Sequence, residues 1–449
     1  MVVRLFERGA ECVGLDFLAH PFWDKYLEFE ERSDAQDRIF EILGRIIHIP
    51  LHQYARYFER YRNMTRNRPI TETAPPQVIS QFRDTILRES GPKQKSERDI
   101  EQELRPKIDE YHMEVFQRTQ TETTKRWTYE SEVKRPYYHV TELDEGQLAN
   151  WRKYLDYEQS EGNYERTKFL YERCLVTAAD YDEFWLRYAR WMLAQEGKHE
   201  EVRNICQRAS CIFVPIARPA VRTFYAQFEE SQGRPDVAID IYEAILQNLP
   251  NHTETILALA NTHRRQHGIA SAVALLEKYA SDPDCPSITR GTLISEWARL
   301  VWRASGKAEE ARKVYKSNKQ TYLDCMPFWA EWLKFEMQQQ TSEGEEAACY
   351  KRIKGVFEDI RRSRLPAAVI QDLAGRYFAY LRERGGKDAM VEYMQLDKEI
   401  NGPIVAPAVV EQPKTEGAQG RKRKINTAEA NKSFAQQGGQ AHAVNGAQR

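Results

Sequence analysis

The sequence predicts an all-α fold, a solenoid of repeated helical hairpins, and three observations carry that reading. Strand signals are nearly absent: there is no sustained alternation of Val, Ile and Thr, and no Asn-Gly or Asp-Gly turn between such runs. A triplet of aromatic residues at three-residue spacing, often closed by Glu, recurs along the chain. Gly and Pro fall where the helices of a hairpin would stop and turn.

The first element is "HPFWDKYLEFEE", in which Trp23, Tyr26 and Phe29 precede Glu30. Residues at i, i+3 and i+6 share one helix face, and a single hairpin cannot bury such a face alone. With "RYFERYRNMTRNR" at 56–68, this makes residues 1–66 the end of an N-terminal block of repeats. Residues 67–145 break the register. "NRPITETAPPQ", 67–77, reads as a linker by its prolines and threonines. One or two long charged helices follow, with Pro106 near a kink or boundary.

From 146 to 400 the triplet returns as a C-terminal repeat domain. "WRKYLDYE" carries Trp151, Tyr154 and Glu158, and "WLRYARW" carries Trp185 and Tyr188. "FYAQFEE" carries Tyr225, Phe228 and Glu229, with Arg222 where the first aromatic would fall, and "WAEWLKFE" carries Trp329, Trp332, Phe335 and Glu336. The step from 151 to 185 is 34 residues and from 185 to 222 it is 37, the periods of helical-hairpin repeats. Gly162 and Gly233 suit left-handed helix ends. Pro50, Pro215 and Pro250 stop second helices, and weaker copies occupy 251–283, 287–320 and 367–400. The expected repeat core is therefore Trp23, Tyr26, Phe29, Trp151, Tyr154, Trp185, Tyr188, Phe228, Trp329 and Trp332. The glutamates at 30, 158, 229 and 336 are expected to meet an arginine or backbone donor of the paired second helix, Arg173 being one candidate.

The segment 401–449 reads as a disordered basic tail, rich in Gly, Ala, Gln and Pro. From 403 onward it holds seven Lys and Arg against three Glu, a net +4. Four of them, Arg421, Lys422, Arg423 and Lys424, form a run that suits a nuclear-import receptor, the reading favoured, or weak RNA contact.

Composition narrows the function classes. The net charge is -1, so any nucleic-acid role needs a local patch; Arg56, Arg60 and Arg62, interleaved with tyrosines, are the candidates. Mean hydropathy is -0.71, which suits helices that wet one face. No window approaches the roughly eighteen uninterrupted apolar residues of a membrane span. Seven dispersed cysteines without a Cys-x-x-Cys pair point to a reducing compartment, cytosol or nucleus. Neither phosphate-binding glycine motif is present, and "HEEVR", 199–203, has Arg203 where a zinc helix needs its second His. No catalytic, cofactor-binding or metal-ligating residue is expected, and the reading is of a protein that is not an enzyme.

Paired helices carrying the aromatic triplet and Glu in the first, and a Tyr/Phe-Glu-x-Ala/Cys-Leu core in the second, resemble half-a-TPR (HAT) repeats, close to tetratricopeptide repeats but without their Leu-Gly element. The stretch "VGLDFLAHPFWDKYLEFEE", 13–31, followed by "RIIHIPLHQYARYFERY", 45–61, resembles the pre-mRNA-processing factor 39 family, HAT-repeat subunits of the U1 small nuclear ribonucleoprotein. In that family the stretch lies mid-chain, so the resemblance implies that an N-terminal repeat block is missing here. It further implies a nuclear scaffold that organises U1 proteins at the 5′ splice site, with indirect or weak RNA contact. It also implies a homodimer, or a heterodimer with a paralogue, through the C-terminal repeats. Trp329, Trp332, Phe335, Tyr377, Phe378 and Leu381 are the interface candidates under that implication. Two other readings stand beside it: a HAT scaffold of another RNA-processing assembly, such as a 3′-end cleavage or crooked-neck-like factor, and a direct RNA binder.

Overall fold

A computed structural model describes residues 2–89, 96–340 and 344–402. Among them every long element is a helix and no strand occurs. The described residues form two compact units: one made of those up to 340 with 352–365, the other of 344–351 with 366–402.

The first unit opens with α1 (Val2–Val13), α2 (His20–Arg32), α3 (Gln36–Ile46) and α4 (Tyr54–Thr65). Pro21 sits in the first turn of α2, where its missing N–H is harmless. Trp23, Tyr26 and Leu27 of α2 bury against Ile39, Leu43 and Ile46 of α3 and Tyr57 and Tyr61 of α4. Deleting one such buried aromatic costs about 3–5 kcal/mol, so this cluster dominates the stability of the segment.

Residues 67–77 do not run free. Ile70–Glu72 forms a 3-10 turn with Ile70 buried, and the Thr73 carbonyl accepts from Tyr61 Oη at 3.0 Å and His112 Nε2 at 2.8 Å. There follow α5 (Pro76–Glu89) and α6 (Glu97–Glu130), a single 34-residue helix that continues through Pro106. Proline removes one helical bond there without ending the helix, because both sides are packed. Leu104 before the proline and Ile108 after it bury against Ile70 and Ile86, and further on Val115 joins the core of α2 to α4. Ser96 caps α6 reciprocally with Asp99.

The hairpins that follow are α7 (Glu145–Glu161) with α8 (Tyr164–Thr177), and α9 (Asp182–Leu193) with α10 (His199–Arg208). Next come α11 (Ala220–Ser231) with α12 (Pro235–Asn248), α13 (Thr253–His267) with α14 (Ile269–Ala280), and α15 (Ser287–Ser305) with α16 (Ala308–Asn318). Each helix packs on its partner and the next hairpin, so one core runs from Leu143 to Phe228. Gly162 and Gly233 hold the left-handed φ of 73° and 75° that the sequence anticipates at the ends of first helices. The unit closes with α17 (Met326–Met337) and the latter part of α18 (Glu346–Arg361).

The second unit comprises the start of α18, α19 (Ala367–Arg384) and α20 (Ala389–Ile400), with α19 packed on α20. Leu373, Tyr377 and Leu381 form the buried side of α19. No helix among the described residues is long and apolar enough to cross a membrane.

Candidate functional site: inter-repeat clamps and an apolar groove

The tryptophans expected in the repeat core are buried. The indole N–H groups of Trp23, Trp185 and Trp329 bolt down the chain that leads into their helices, while those of Trp151 and Trp332 have no hydrogen-bond partner. Trp23 donates to the Gly14 carbonyl at 3.1 Å, Trp185 to Ala179 at 2.7 Å and Trp329 to Tyr322 at 2.9 Å. Where Arg222 replaces the tryptophan, its guanidinium donates to the carbonyls of Ser210, Val214 and Pro215 at 2.6, 2.7 and 3.1 Å. The substitution keeps the bolt and changes the donor.

The tyrosine one turn later reaches back to the preceding second helix. Tyr26 donates to Glu7 at 2.6 Å, Tyr154 to Glu130 at 2.8 Å and Tyr188 to Glu172 at 3.0 Å. The same three carboxylates accept from Arg45, Arg173 and Arg208, whose guanidinium carbons lie 5.7, 5.8 and 5.3 Å from the rings of Trp23, Trp151 and Trp185. An aromatic just before each glutamate stacks on the tyrosine: Phe6 on Tyr26, Tyr129 on Tyr154 and Tyr171 on Tyr188, at 4.7, 5.0 and 4.7 Å. Phe29, also expected in the core, is half-buried and packs against Phe6. In α17, Trp332 takes the tyrosine's place and stacks on Tyr315 at 5.4 Å, while Lys316 stands where the glutamate would be.

The glutamate that closes each triplet is clamped from two sides. Glu158, Glu229 and Glu336 have side chains 1%, 0% and 3% exposed. Arg126, Arg203 and Arg312 from the preceding helices donate to them at 2.7, 2.9 and 2.9 Å. Arg166 near the start of α8, Arg234 just before α12 and Arg352 within α18 complete the ion pairs. Burial is the largest influence and works against the charge on Arg126, but the hydrogen bonds and attraction of Glu158, together with the Glu122 bond, outweigh it and lift the guanidinium above its ordinary value. The expected partner on the paired helix is therefore present, yet for Glu158 and Glu336 the shorter bond comes from the helix before. Arg173 is corrected in the same way: it binds Glu130 and Asp16, not Glu158. Glu30 has Arg38 at 3.5 Å and no second guanidinium, because Val3 stands in the register of Arg126.

The other sequence candidates divide as follows. Phe335, Tyr377, Phe378 and Leu381, like Trp329 and Trp332, are buried within the chain. Their side chains therefore do not form an exposed partner-facing surface, a correction to the expectation. Among the described residues of the second unit, the large apolar side chains left exposed are Met390, Val391 and Met394 on α20. Arg56 pairs with Asp24 at 2.7 Å and stacks on Tyr57, and Arg60 pairs with Glu31. Arg62 is exposed. Arg421, Lys422, Arg423 and Lys424 lie outside the described residues. Among the described residues no cluster of three or more His, Cys, Asp and Glu could hold a metal ion, and Arg203 of "HEEVR" belongs to the Glu229 clamp.

One concavity of the first unit is not filled by these clamps. A groove of about 710 Å³ is walled by Val13, Leu18, Tyr138, Phe169, Val176 and Phe213. Its charged lining residues are Asp16, Glu172, Arg173 and Arg208, paired as Arg173 with Asp16 at 3.0 Å and Arg208 with Glu172 at 2.7 Å. Neither the groove nor the second guanidinium of each clamp was legible in the sequence. The aromatic-Glu pair that recurs before each hairpin, as in Phe6-Glu7, Tyr129-Glu130 and Tyr171-Glu172, was a signal that could have exposed the tyrosine contacts.

Helical hairpins stacked through tryptophan bolts and buried Glu–Arg clamps define a HAT-repeat protein. Residues 124–265 match the family model described as the PRP39 C-terminal HAT repeat, and residues 1–63 match the PRP39 N-terminal HAT repeat. The chain is 46% identical over 418 residues to pre-mRNA-processing factor 39 of Schizosaccharomyces pombe, covering 90% of this chain and 68% of that one. The chain belongs to the pre-mRNA-processing factor 39 family. It is also 25% identical over 210 residues to the U1 small nuclear ribonucleoprotein component PRP42 of Saccharomyces cerevisiae, 45% of this chain and 38% of that one. In fold it is similar to the crystal structure of CstF-77, with a TM-score of 0.56 at 11% identity over 94% of this chain and 81% of that chain. The chain spans 60% and 51% of the length of the Xenopus laevis and human relatives it matches.

Proposed function

We propose that this splicing-family protein is a non-enzymatic nuclear scaffold that associates with the U1 small nuclear ribonucleoprotein and organises protein partners for 5′ splice-site recognition. The observation that carries it is the 46% identity to a pre-mRNA-processing factor, together with the likeness to a protein named as a U1 component. The structure supports a scaffold in a specific way. The buried carboxylates of Glu158, Glu229 and Glu336 are matched by arginines within the chain, so what remains for function is the surface that the helices build together. Arg56 and Arg60 are held by carboxylates of α2, which supports RNA contact being indirect or weak. The run Arg421 to Lys424 is the proposed nuclear-import signal.

The proposal extends to a homodimer, or a heterodimer with a paralogue, through the C-terminal repeats. Met390, Val391 and Met394 on α20 are the contacts it would use, because the aromatic candidates are buried. Affinity purification of the tagged chain from nuclear extract, read by mass spectrometry, tests the assembly: U1 proteins are expected, and recovery of 3′-end cleavage factors instead would overturn it. Light scattering at micromolar concentration tests the homodimer, and mixing with a paralogue tests the heterodimer. A chain that stays monomeric in both sinks the dimer.

A further inference from the structure

We infer that the groove beside α8 is a docking site for the apolar face of a helical segment from a protein partner, an inference that rests on the scaffold reading. Three independent features of the groove lead there. The first is its exposed apolar wall. Val13, Leu18, Tyr138, Val176 and Phe213 are all large hydrophobic side chains left open to solvent, and they converge on one concavity rather than scattering singly. Phe169 and Val176 lie seven residues apart on α8, two turns along one face, so the wall extends about 10 Å along the helix. That is the reach of apolar anchors at i, i+3 or i+4, and i+7 on an incoming helix.

The second feature is how the far wall is made. Immediately after α10 the chain forms a π-helical turn, Ala209–Phe213, which leaves Ile212 exposed and lays Phe213 on Trp185 at 5.5 Å. Such turns are rare and concentrate at functional sites. This one is held by Arg222, a buried arginine whose guanidinium bonds the carbonyls of Ser210, Val214 and Pro215. Burying a cation on carbonyls alone is unfavourable beside burying a tryptophan in the same seat. The arrangement becomes intelligible if the turn it fixes has a use, and the turn's product is Phe213 on the groove wall.

The third feature is charge. The two acids and two arginines that line the groove neutralise one another in pairs, Arg173 on Asp16 and Arg208 on Glu172. A phosphate backbone would find both groove arginines already engaged, and a charged peptide would have to break an existing pair. An uncharged, apolar occupant complements the groove without that loss.

A phage-displayed library of random 16-residue peptides, selected on the purified full chain, supplies the probe. Recovered peptides should carry apolar residues at helical spacing with low net charge. Their affinity, read by fluorescence anisotropy, should fall at least tenfold for Leu18→Asp and Val176→Asp. Both positions are 52% exposed, so these variants should keep the wild-type melting temperature. Selected peptides without apolar anchors, or equal binding by both variants, would overturn the inference. So would a 20-nucleotide oligouridylate that binds the wild type and not the variants, or self-association of the wild type that either variant abolishes. The scaffold reading fails by a different result, the absence of U1 proteins from the nuclear-extract purification, which leaves peptide binding untouched.

Discussion

Arg126 of α6 and Glu158 of α7 meet at 2.7 and 3.0 Å with side chains 3% and 1% exposed. The bond ties the long helix that ends one block of helices to the first hairpin of the next. Breaking a buried pair by removing one member typically costs about 3–5 kcal/mol. Here Arg166, 3.3 Å from Glu158, retains part of the pairing when Arg126 is removed. Arg126→Ala should therefore lower the urea midpoint strongly, by more than any substitution of an exposed arginine such as Arg62. The double variant Arg126→Met with Glu158→Leu should recover most of the loss, because it removes both charges and keeps the volume. Equal destabilisation by single and double variants would show that packing, not charge, holds this boundary.

Glu30 gives the matching test from the opposite side. Its carboxylate is buried like those of Glu158, Glu229 and Glu336, but Val3 occupies the place of the arginine in the helix before. Its Oε1 has no hydrogen-bond partner, and Arg38 stands 3.5 Å away. Glu30→Gln should thus be far milder than Glu158→Gln. Val3→Arg should stabilise the chain by about 1.5–3 kcal/mol, the worth of a hydrogen bond to a charged group. Thermal denaturation of the three variants checks the order. A destabilising Val3→Arg would mean that the socket beside α1 is closed to a guanidinium.

These residues mark where sequence reading stops. The aromatic triplets were legible because apolar side chains at helical spacing announce a buried face, and Trp23, Trp151, Trp185 and Trp329 are all buried. The buried face of α6 was not, because beyond Val115 it consists of Thr119, Thr123 and Arg126, with His112 just before. Thr119 donates to the Ile47 carbonyl at 2.8 Å, so polar bonds do there what apolar burial does elsewhere. The clamp arginines were hidden for another reason. They precede their glutamates by 32, 26 and 24 residues, and a spacing set by loops of varying length leaves no period to read. Arg222 was visible as a break in the triplet, but only the fold supplies the three carbonyls that explain it.

His112 predicts how stability responds to pH. Its Nε2 lies 2.8 Å from the Thr73 carbonyl, which can only accept, so Nε2 carries the proton and Nδ1 is left without a partner. Burial holds the imidazole below its ordinary pKa despite the favourable Thr73 bond, and burial also lowers neighbouring His48. A histidine depressed in the folded state binds fewer protons than in the unfolded chain, so stability rises with pH. Its contribution is complete above the unfolded value of about 6.5 and is lost as pH falls below that. The urea midpoint should be lower at pH 5.5 than at pH 7.5, and the difference should shrink in His112→Gln. A midpoint that rises on acidification would contradict the neutral assignment.

Two glycines should respond to alanine with opposite signs. A Cβ on Gly14 would stand 2.4 Å from the Ala10 carbonyl oxygen and 2.8 Å from the Trp23 ring, whose indole N–H already bonds the Gly14 carbonyl. Neither neighbour is the free end of a flexible chain, so either α1 or the Trp23 seat must shift, at a cost of about 1–3 kcal/mol. Gly355 lies exposed inside α18, and a Cβ there meets nothing within 4 Å. Alanine at that position should add about 0.5–1 kcal/mol of stability by restricting the unfolded chain and favouring the helix. Melting temperatures of Gly14→Ala and Gly355→Ala measured side by side decide the matter. A fall for both would show that α18 depends on backbone freedom at Gly355, and a rise for both would show that the Trp23 bolt tolerates a wider seat than its neighbours allow.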